Sequence, residues 1–251
     1  MDSLIVYQSP YTKRRIGKPN DGGYVIADLP ESYDILISGG VSDDISFEDH
    51  FMSTHPDLAC YAFDGTVDSL PNASSKVTFV RKNLGNTNSD TMTDLIEYME
   101  PYSDIFLKID IEGHEFRVIP NLPMQKVKQL VLEIHTPADI HLYPTYYPTL
   151  QDIENPNLFA LLSYLNITHT LVHFHANNGC GIHTIDGIQV PNVFEVTYIR
   201  NDFVHEKVRN IQPFPTPIDM KNVPSLPEHK YHGYPFSVPH SSRPTLSWLH
   251  R

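Results

Sequence analysis

Seven short apolar runs, set apart by turn residues or by stretches of helical spacing, constrain this chain more than any other feature. They are DILISGG (Asp34–Gly40), LACYAFD (Leu58–Asp64), KVTFVRKNLG (Lys76–Gly85), the start of FLKIDIEGHEF (Phe106–Phe116), VKQLVLEIH (Val127–His135), HTLVHFHANN (His169–Asn178) and NVFEVTYIR (Asn192–Arg200). Helical spacing lies between several of them. Ser42–His55 would bury Ile45, Phe51 and Met52, with Ser42, Asp43 or Asp44 as N-cap; Ser89–Glu100 would bury Met92, Leu95, Ile96 and Met99; Asn155–Asn166 reads as a third helix. Strands alternating with helices predict a largely parallel sheet with helices on both faces. Ahead of it, RRIGK, the turn PNDGG and YVIADL predict a hairpin over Arg15–Leu29, because Asp21-Gly22-Gly23 supplies the positive-φ residues of a tight turn. From Gln212 prolines recur every few residues, which forbids long helices and central strands. The expected division is a hairpin extension over 1–30, an α/β domain over 31–210, and a Pro-rich tail over 211–251, packed on the domain or mobile.

Composition narrows the function class. A chain of 251 residues with 40% hydrophobic content can bury one real core. A formal net charge of −12 and the lack of a long Lys/Arg stripe argue against gripping long nucleic acid. No apolar run is long enough to span a bilayer, and no basic region precedes an apolar core at the N-terminus, so a cytoplasmic protein without membrane attachment is expected. Cys60 and Cys180 make neither a CxxC motif nor a disulfide framework. Asn72 and Asn166 open glycosylation triplets, which carry little weight without a secretory signal.

Where the runs end is informative, because ligands of such folds bind beyond the carboxyl ends of the strands. The first run ends on Gly39-Gly40, which either brings backbone N–H groups close to a ligand or forms an ordinary strand-to-helix turn. Asp64 ends the second, placed to accept both hydroxyls of a ribose or to cap the next turn. In FLKIDIEGHEF, strand alternation sets Phe106, Lys108 and Asp110 on one face and Leu107, Ile109 and Ile111 on the other. Gly113 lets the backbone turn away. Asp110 and Glu112 are read as functional, Glu115 and Arg117 as a solvated turn. Glu133/His135 and His173/His175 are i,i+2 pairs, each projecting to one side of its strand. Their imidazoles suit a general base, or with the carboxylates a divalent metal, or plain hydrogen bonding in the core.

RIGKPNDGGYVIAD, ISGGVSDDISFE, YAFDGT, LKIDIEGHEF, LVLEIH and HFHANN…PNVFEVTYI occur in the order found in FkbM-like methyltransferases, which the chain resembles from about Arg15 to Arg200. The resemblance is to the branch with DGGY, SDDISFE and KIDIEGHE motifs. It implies a Rossmann-like sheet of seven strands with the last antiparallel, and S-adenosylmethionine as cofactor. On this likeness Gly39 and Gly40 match the cofactor's glycine turn, Asp64 the ribose-binding acid, and Asp110 the acid facing the methionine part. Asn83 falls on the adenine-side loop, and Asp44 and Glu48 match the acids of SDDISFE. One departure stands out. Ser38 replaces the usual acid before the first glycine, so Asp44 or Asp110 is expected to meet the cofactor's amino group instead.

The function expected is O-methylation of a sugar, glycan or small-molecule hydroxyl, with His135 or His175 as base and Glu112 and Glu133 orienting. Glu112, Glu133 and His173 are the candidate ligands should a divalent metal such as Mg²⁺ take part. The rivals are a metal-dependent hydrolase or oxygenase using the His/acid cluster, and a non-catalytic cofactor-binding domain. The HFH element superficially resembles cupin ligation, but cupins are all-β and would not supply the helices.

Overall fold

In the computed structural model, residues 1–70 and 74–238 are described; the Asn72 triplet and the end of the tail fall outside them. The chain opens with an antiparallel hairpin, β1 (Lys13–Gly17) and β2 (Gly23–Ala27), followed by β3 (Ile35–Gly39), α1 (Ser46–Thr54), β4 (Cys60–Phe63) and β5 (Val77–Val80). Two short strands, β6 (Asn83–Leu84) and β7 (Met92–Thr93), pair before α2 (Ile96–Met99) and β8 (Ile105–Ile109). Then come α3 (Glu115–Val118), β9 (Val127–His135), α4 (Pro137–Leu142), α5 (Asn155–Thr168) and β10 (His169–Ala176). A small hairpin of β11 (Ile182–Ile185) and β12 (Ile188–Pro191) leads into β13 (Val193–Arg200).

The main sheet runs β10-β13-β9-β8-β3-β4-β5. Its strands are parallel except β13, which is antiparallel to both β9 and β10. This is the seven-stranded Rossmann-like methyltransferase arrangement. The chain leaves β3 toward β4 and β5, then returns to β8 on the other side of β3, so the order reverses between β3 and β8. A crevice opens at such a reversal.

Two cores flank the sheet. On one face Ile35, Ile37, Leu107, Ile109, Leu130 and Leu132 meet α5, whose Leu158, Leu161, Leu162 and Leu165 recur at helical spacing. Glu154 and Asn157 form a reciprocal capping box that starts α5, with Pro156 in its first turn. On the other face Leu36, Ala62, Phe106 and Val131 pack against Phe47, Phe51 and Met52 of α1 and Ile16, Tyr24 and Ile26 of the hairpin. That second face is therefore only partly helical. Over β9 and β13 the cover is the hairpin, fixed where Gln129 bonds both the N–H and C=O of Ala27 and Thr197 bonds the Val25 carbonyl. The tail packs Phe214, Tyr231 and Phe236 against Phe174 of the edge strand β10.

The helix expected over Ser89–Glu100 is mostly absent. Met92–Thr93 instead pair with Asn83–Leu84, and only Ile96–Met99 are helical, after Leu95 at φ +66°. The Thr93 hydroxyl accepts the Leu95 N–H and the Asp94 carboxylate the Ile96 N–H. Side chains that bond nearby backbone in this way compete with the helix, and here they win.

Candidate active site

At the reversal between β3 and β8 lies a cavity of about 680 Å³. Gly40, Asp64, Asn83 and Asp110 all line it, with Val41, Ser42 and Asp44 of the loop after β3. Gly40 is there by necessity. Its φ is +74°, and a Cβ would sit 1.5 Å from the Asp110 carbonyl oxygen, so β3 and β8 can close on each other only at glycine. Gly39 lies one residue inside, against the Leu84 side chain.

Asp64 takes the turn-capping role the sequence allowed it. Its Oδ2 accepts the Ser42 N–H (2.8 Å), and its Oδ1 accepts the N–H and hydroxyl of Thr66. A carboxylate offers about four lone-pair sites, and three are taken. One acceptor site, on Oδ2, remains unused by the protein. Asp44 pairs with Lys18 (2.7 Å) and accepts the Ser46 N–H in the turn before α1, whose N-cap is Ile45 and none of the three residues expected. Glu48 turns inward, fully buried, bonded to the Ser38 hydroxyl and 3.9 Å from Lys108. Asp44 and Glu48 are thus paired to lysines, whereas Asp110 faces the crevice with its Oδ2 accepting the Tyr24 hydroxyl (2.7 Å).

Beyond β8 the turn is tightly fixed. Glu112 (φ +54°) and Gly113 (φ +84°) are both left-handed, a conformation rare for glutamate that is held only where surroundings demand it. Glu115 supplies part of that demand. It is fully buried and accepts the Ile111 N–H (3.0 Å), and burial pushes its carboxyl up to about 7. The solvated-turn reading of Glu115 is thereby overturned; Arg117, paired with Asp152, keeps it.

The remaining expected residues divide. Glu133 and His135 sit behind Asp110, each with a donor atom within 4.8 Å of the others. His135 Nδ1 meets Asp139 (2.9 Å), and its Nε2 lies 3.4 Å from Glu112 and 3.7 Å from Glu133. Burial opposes its protonation, but bonds to Asp139 and Glu133 outweigh burial and raise its pKa well above the ordinary value. A histidine held so among carboxylates is not free to take a proton, and it is withdrawn as the base. His175 and His173 are elsewhere altogether. Their strand β10 is three strand spacings from β8, roughly 14 Å. His175 pairs with Glu195 (3.2 Å), which raises its pKa to about 10 against burial. His173 pairs with Asp219 of the tail (2.7 Å). Neither lines the crevice, so His175 is withdrawn as base and His173 as metal ligand. Glu112 lines the crevice, 3.4 Å from His135.

The model of the FkbM methyltransferase domain matches residues 9–159. The chain belongs to this family of methyltransferases. Among solved structures the FkbM domain is similar to fibrillarin in its complex with Nop5p, at 9% identity over 68% of this chain and 74% of that one, TM-score 0.40. It is similar also to the plantazolicin methyltransferase BpumL in complex with SAH, at 10% identity over 72% and 78%, TM-score 0.36. A precorrin-6y C5,15-methyltransferase from Geobacter metallireducens gives 11% over 68% and 80%, TM-score 0.34. Likenesses this distant decide nothing about substrate. No curated protein sequence matches the chain.

Sequence reading missed part of the wall of this FkbM crevice. Lys18 and Asp21 reach it from the hairpin turn, and Tyr146, Tyr147 and Thr149 from the segment after α4. His114 lines it too. Burial, with the Arg117 charge, holds its imidazole below the ordinary pKa. The sequence sets it beside Asp110 and Glu112 in FLKIDIEGHEF but gives it no role of its own; nothing in YPTYYPT marked Tyr146.

Proposed function

We propose that this FkbM domain binds S-adenosylmethionine in the crevice and transfers its methyl group to a hydroxyl of a saccharide or another small molecule. The observation that carries the reading is that Gly40, Asp64 and Asp110, far apart in sequence, line one cavity at the reversal of the sheet. Its volume of about 680 Å³ lies within the range usual for small-molecule sites. The lining suits the cofactor on chemical grounds. Asp64 keeps one acceptor site for a ribose hydroxyl, Asn83 and Leu84 flank the adenine side, and Asp110 is the acid available to the cationic amino group. When bound, the cofactor supplies a methyl carbon already activated by positive sulfur.

The chain's own work is to align the acceptor oxygen and to take its proton. His114 suits the second task, since it lines the crevice as a neutral imidazole near pH 7. Tyr146 lends support to a saccharide acceptor. It lines the crevice with its residue 64% exposed, offering a flat apolar face with a polar tip.

Calorimetry with S-adenosylhomocysteine, followed by tritiated methyl transfer over sugars, nucleotides and phenols, tests the reading. Binding at one site and transfer to a sugar hydroxyl are expected. Absence of binding by both S-adenosylmethionine and its demethylated product would remove the cofactor; transfer confined to phenols or nucleotides would remove the saccharide.

A further inference from the structure

Behind Asp110, three potential donors already stand together, and each is held in place by a neighbour. Tyr24 donates its hydroxyl to Asp110 Oδ2 (2.7 Å). Asn177 Nδ2 donates to Glu133 Oε1 (3.1 Å), leaving Oε2 3.7 Å from His135 Nε2. His135 Nδ1 donates to Asp139 Oδ2 (2.9 Å), which also accepts the Tyr147 hydroxyl (3.2 Å). With Nδ1 engaged by Asp139 and the Tyr147 hydroxyl (2.9 Å each), Nε2 faces the other way, toward Glu112 (3.4 Å) and Glu133 (3.7 Å). The His135 side chain is only 9% exposed, and its Nε2 has no hydrogen-bond partner among the described residues. A buried ring nitrogen left orphaned and aimed between carboxylates calls for a missing partner.

We propose that Asp110, Glu133 and His135 bind a divalent cation of the Mn²⁺ type at the inner wall of the crevice. The arrangement has the layout of a metal site. A ligating histidine characteristically donates its other ring N–H to a carboxylate, and ligating carboxylates are themselves hydrogen-bonded. Donors on a sphere of ~2.1 Å radius lie ~3.0 Å apart at an octahedral edge, ~3.4 Å at a tetrahedral edge and ~4.2 Å across. The three donors lie within 4.8 Å of one another, so shifts of about 1 Å or less bring them onto such a sphere. Two carboxylates with one imidazole suit Mn²⁺ better than Ca²⁺, which takes oxygen alone, or Zn²⁺ in thiolate sites. Because Asp110 lines the crevice, an ion here borders the space a hydroxyl acceptor would enter, where a Lewis acid makes that hydroxyl more acidic. The site stands on its own geometry and does not rest on the methyl-transfer reading.

The test is calorimetric titration of the full chain with MnCl₂, without S-adenosylmethionine, together with pulsed electron paramagnetic resonance of the bound ion. One Mn²⁺ per chain is expected, coupled to an imidazole nitrogen. Glu133→Gln and Asp139→Asn should each weaken it by about tenfold to hundredfold. No bound ion at millimolar Mn²⁺, a bound ion without nitrogen coupling, or unchanged affinity in folded Glu133→Gln would each overturn the site. Should that variant fail to fold, the nitrogen coupling in the unsubstituted chain decides alone. S-adenosylhomocysteine binding with no bound Mn²⁺ would sink the ion and leave the methyl-transfer reading standing.

Discussion

The two halves of the sheet end their strands on the same kinds of residue and use them differently. In β3, β4 and β8 the glycine and acidic ends open onto a crevice, and their side chains retain unused acceptor sites. In β13 and β10, Glu195 and His175 stand side by side in register, yet Asn222 and Glu228 of the tail close over them. There each group is held by a partner: His175 by the carboxylates of Glu195 and Glu228, and His173, whose pKa burial lowers, by a hydrogen bond to Asp219. A histidine at a strand end is thus a reagent only where nothing covers it. Under a lid it becomes part of the fastening.

Substitutions can break this contrast, beginning with the hinge between the halves. Gly40→Ala would push a methyl group into the Asp110 carbonyl at a left-handed position, and a loss of roughly 4 kcal/mol is expected in chemical denaturation. A variant of ordinary stability would mean that β3 and β8 are not held this close. Next comes the roofed half. Asp219→Ala leaves His173 buried without its partner, both side chains being almost wholly enclosed, and should destabilise by about 3 kcal/mol. Affinity for S-adenosylhomocysteine should stay within about twofold, since the pair lies outside the crevice. A large loss of affinity would join the two halves functionally.

His169, at the start of β10, gives the roofed half a pH signature. Burial lowers its pKa from 6.5 to about 4, against the help of its bond to the Val127 carbonyl. Between those values the unfolded chain holds the extra proton. The stabilisation is therefore complete above pH 6.5 and drains away as the pH falls toward 4, by about 3 kcal/mol in all. His169→Gln should flatten that slope in thermal melts taken across the window.

In the open half, His114→Gln should slow methyl transfer about a hundredfold, equivalent to about 2.7 kcal/mol, while cofactor affinity holds. The acid limb of kcat against pH should lie below the ordinary imidazole range, following the direction in which burial moves His114. Undiminished kcat would pass the proton to another group. The smallest effect is expected at Asp64→Asn. One cofactor hydrogen bond would weaken, lowering affinity about tenfold by calorimetry, or about 1.4 kcal/mol, and the melting temperature should fall as well, because the amide nitrogen would face the N–H of Ser42 or Thr66.

What the sequence determined by itself was the strand inventory and the residues at the strand ends. Val127–His135 is a strand over the span its apolar run suggested, and Gly40, Asp64 and Asp110 come together as their positions after the first, second and fourth runs require. Local periodicity and the end of a run are properties of a few consecutive residues, and so they are written in the chain. The identity of the free histidine was decided only in three dimensions. His114, His135, His173 and His175 look alike in the sequence, but their availability depends on Asp139, Glu195 and Asp219, which arrive from other elements. Burial and charge pairing are long-range quantities, set by which segment lies over which, and no run of neighbours encodes them.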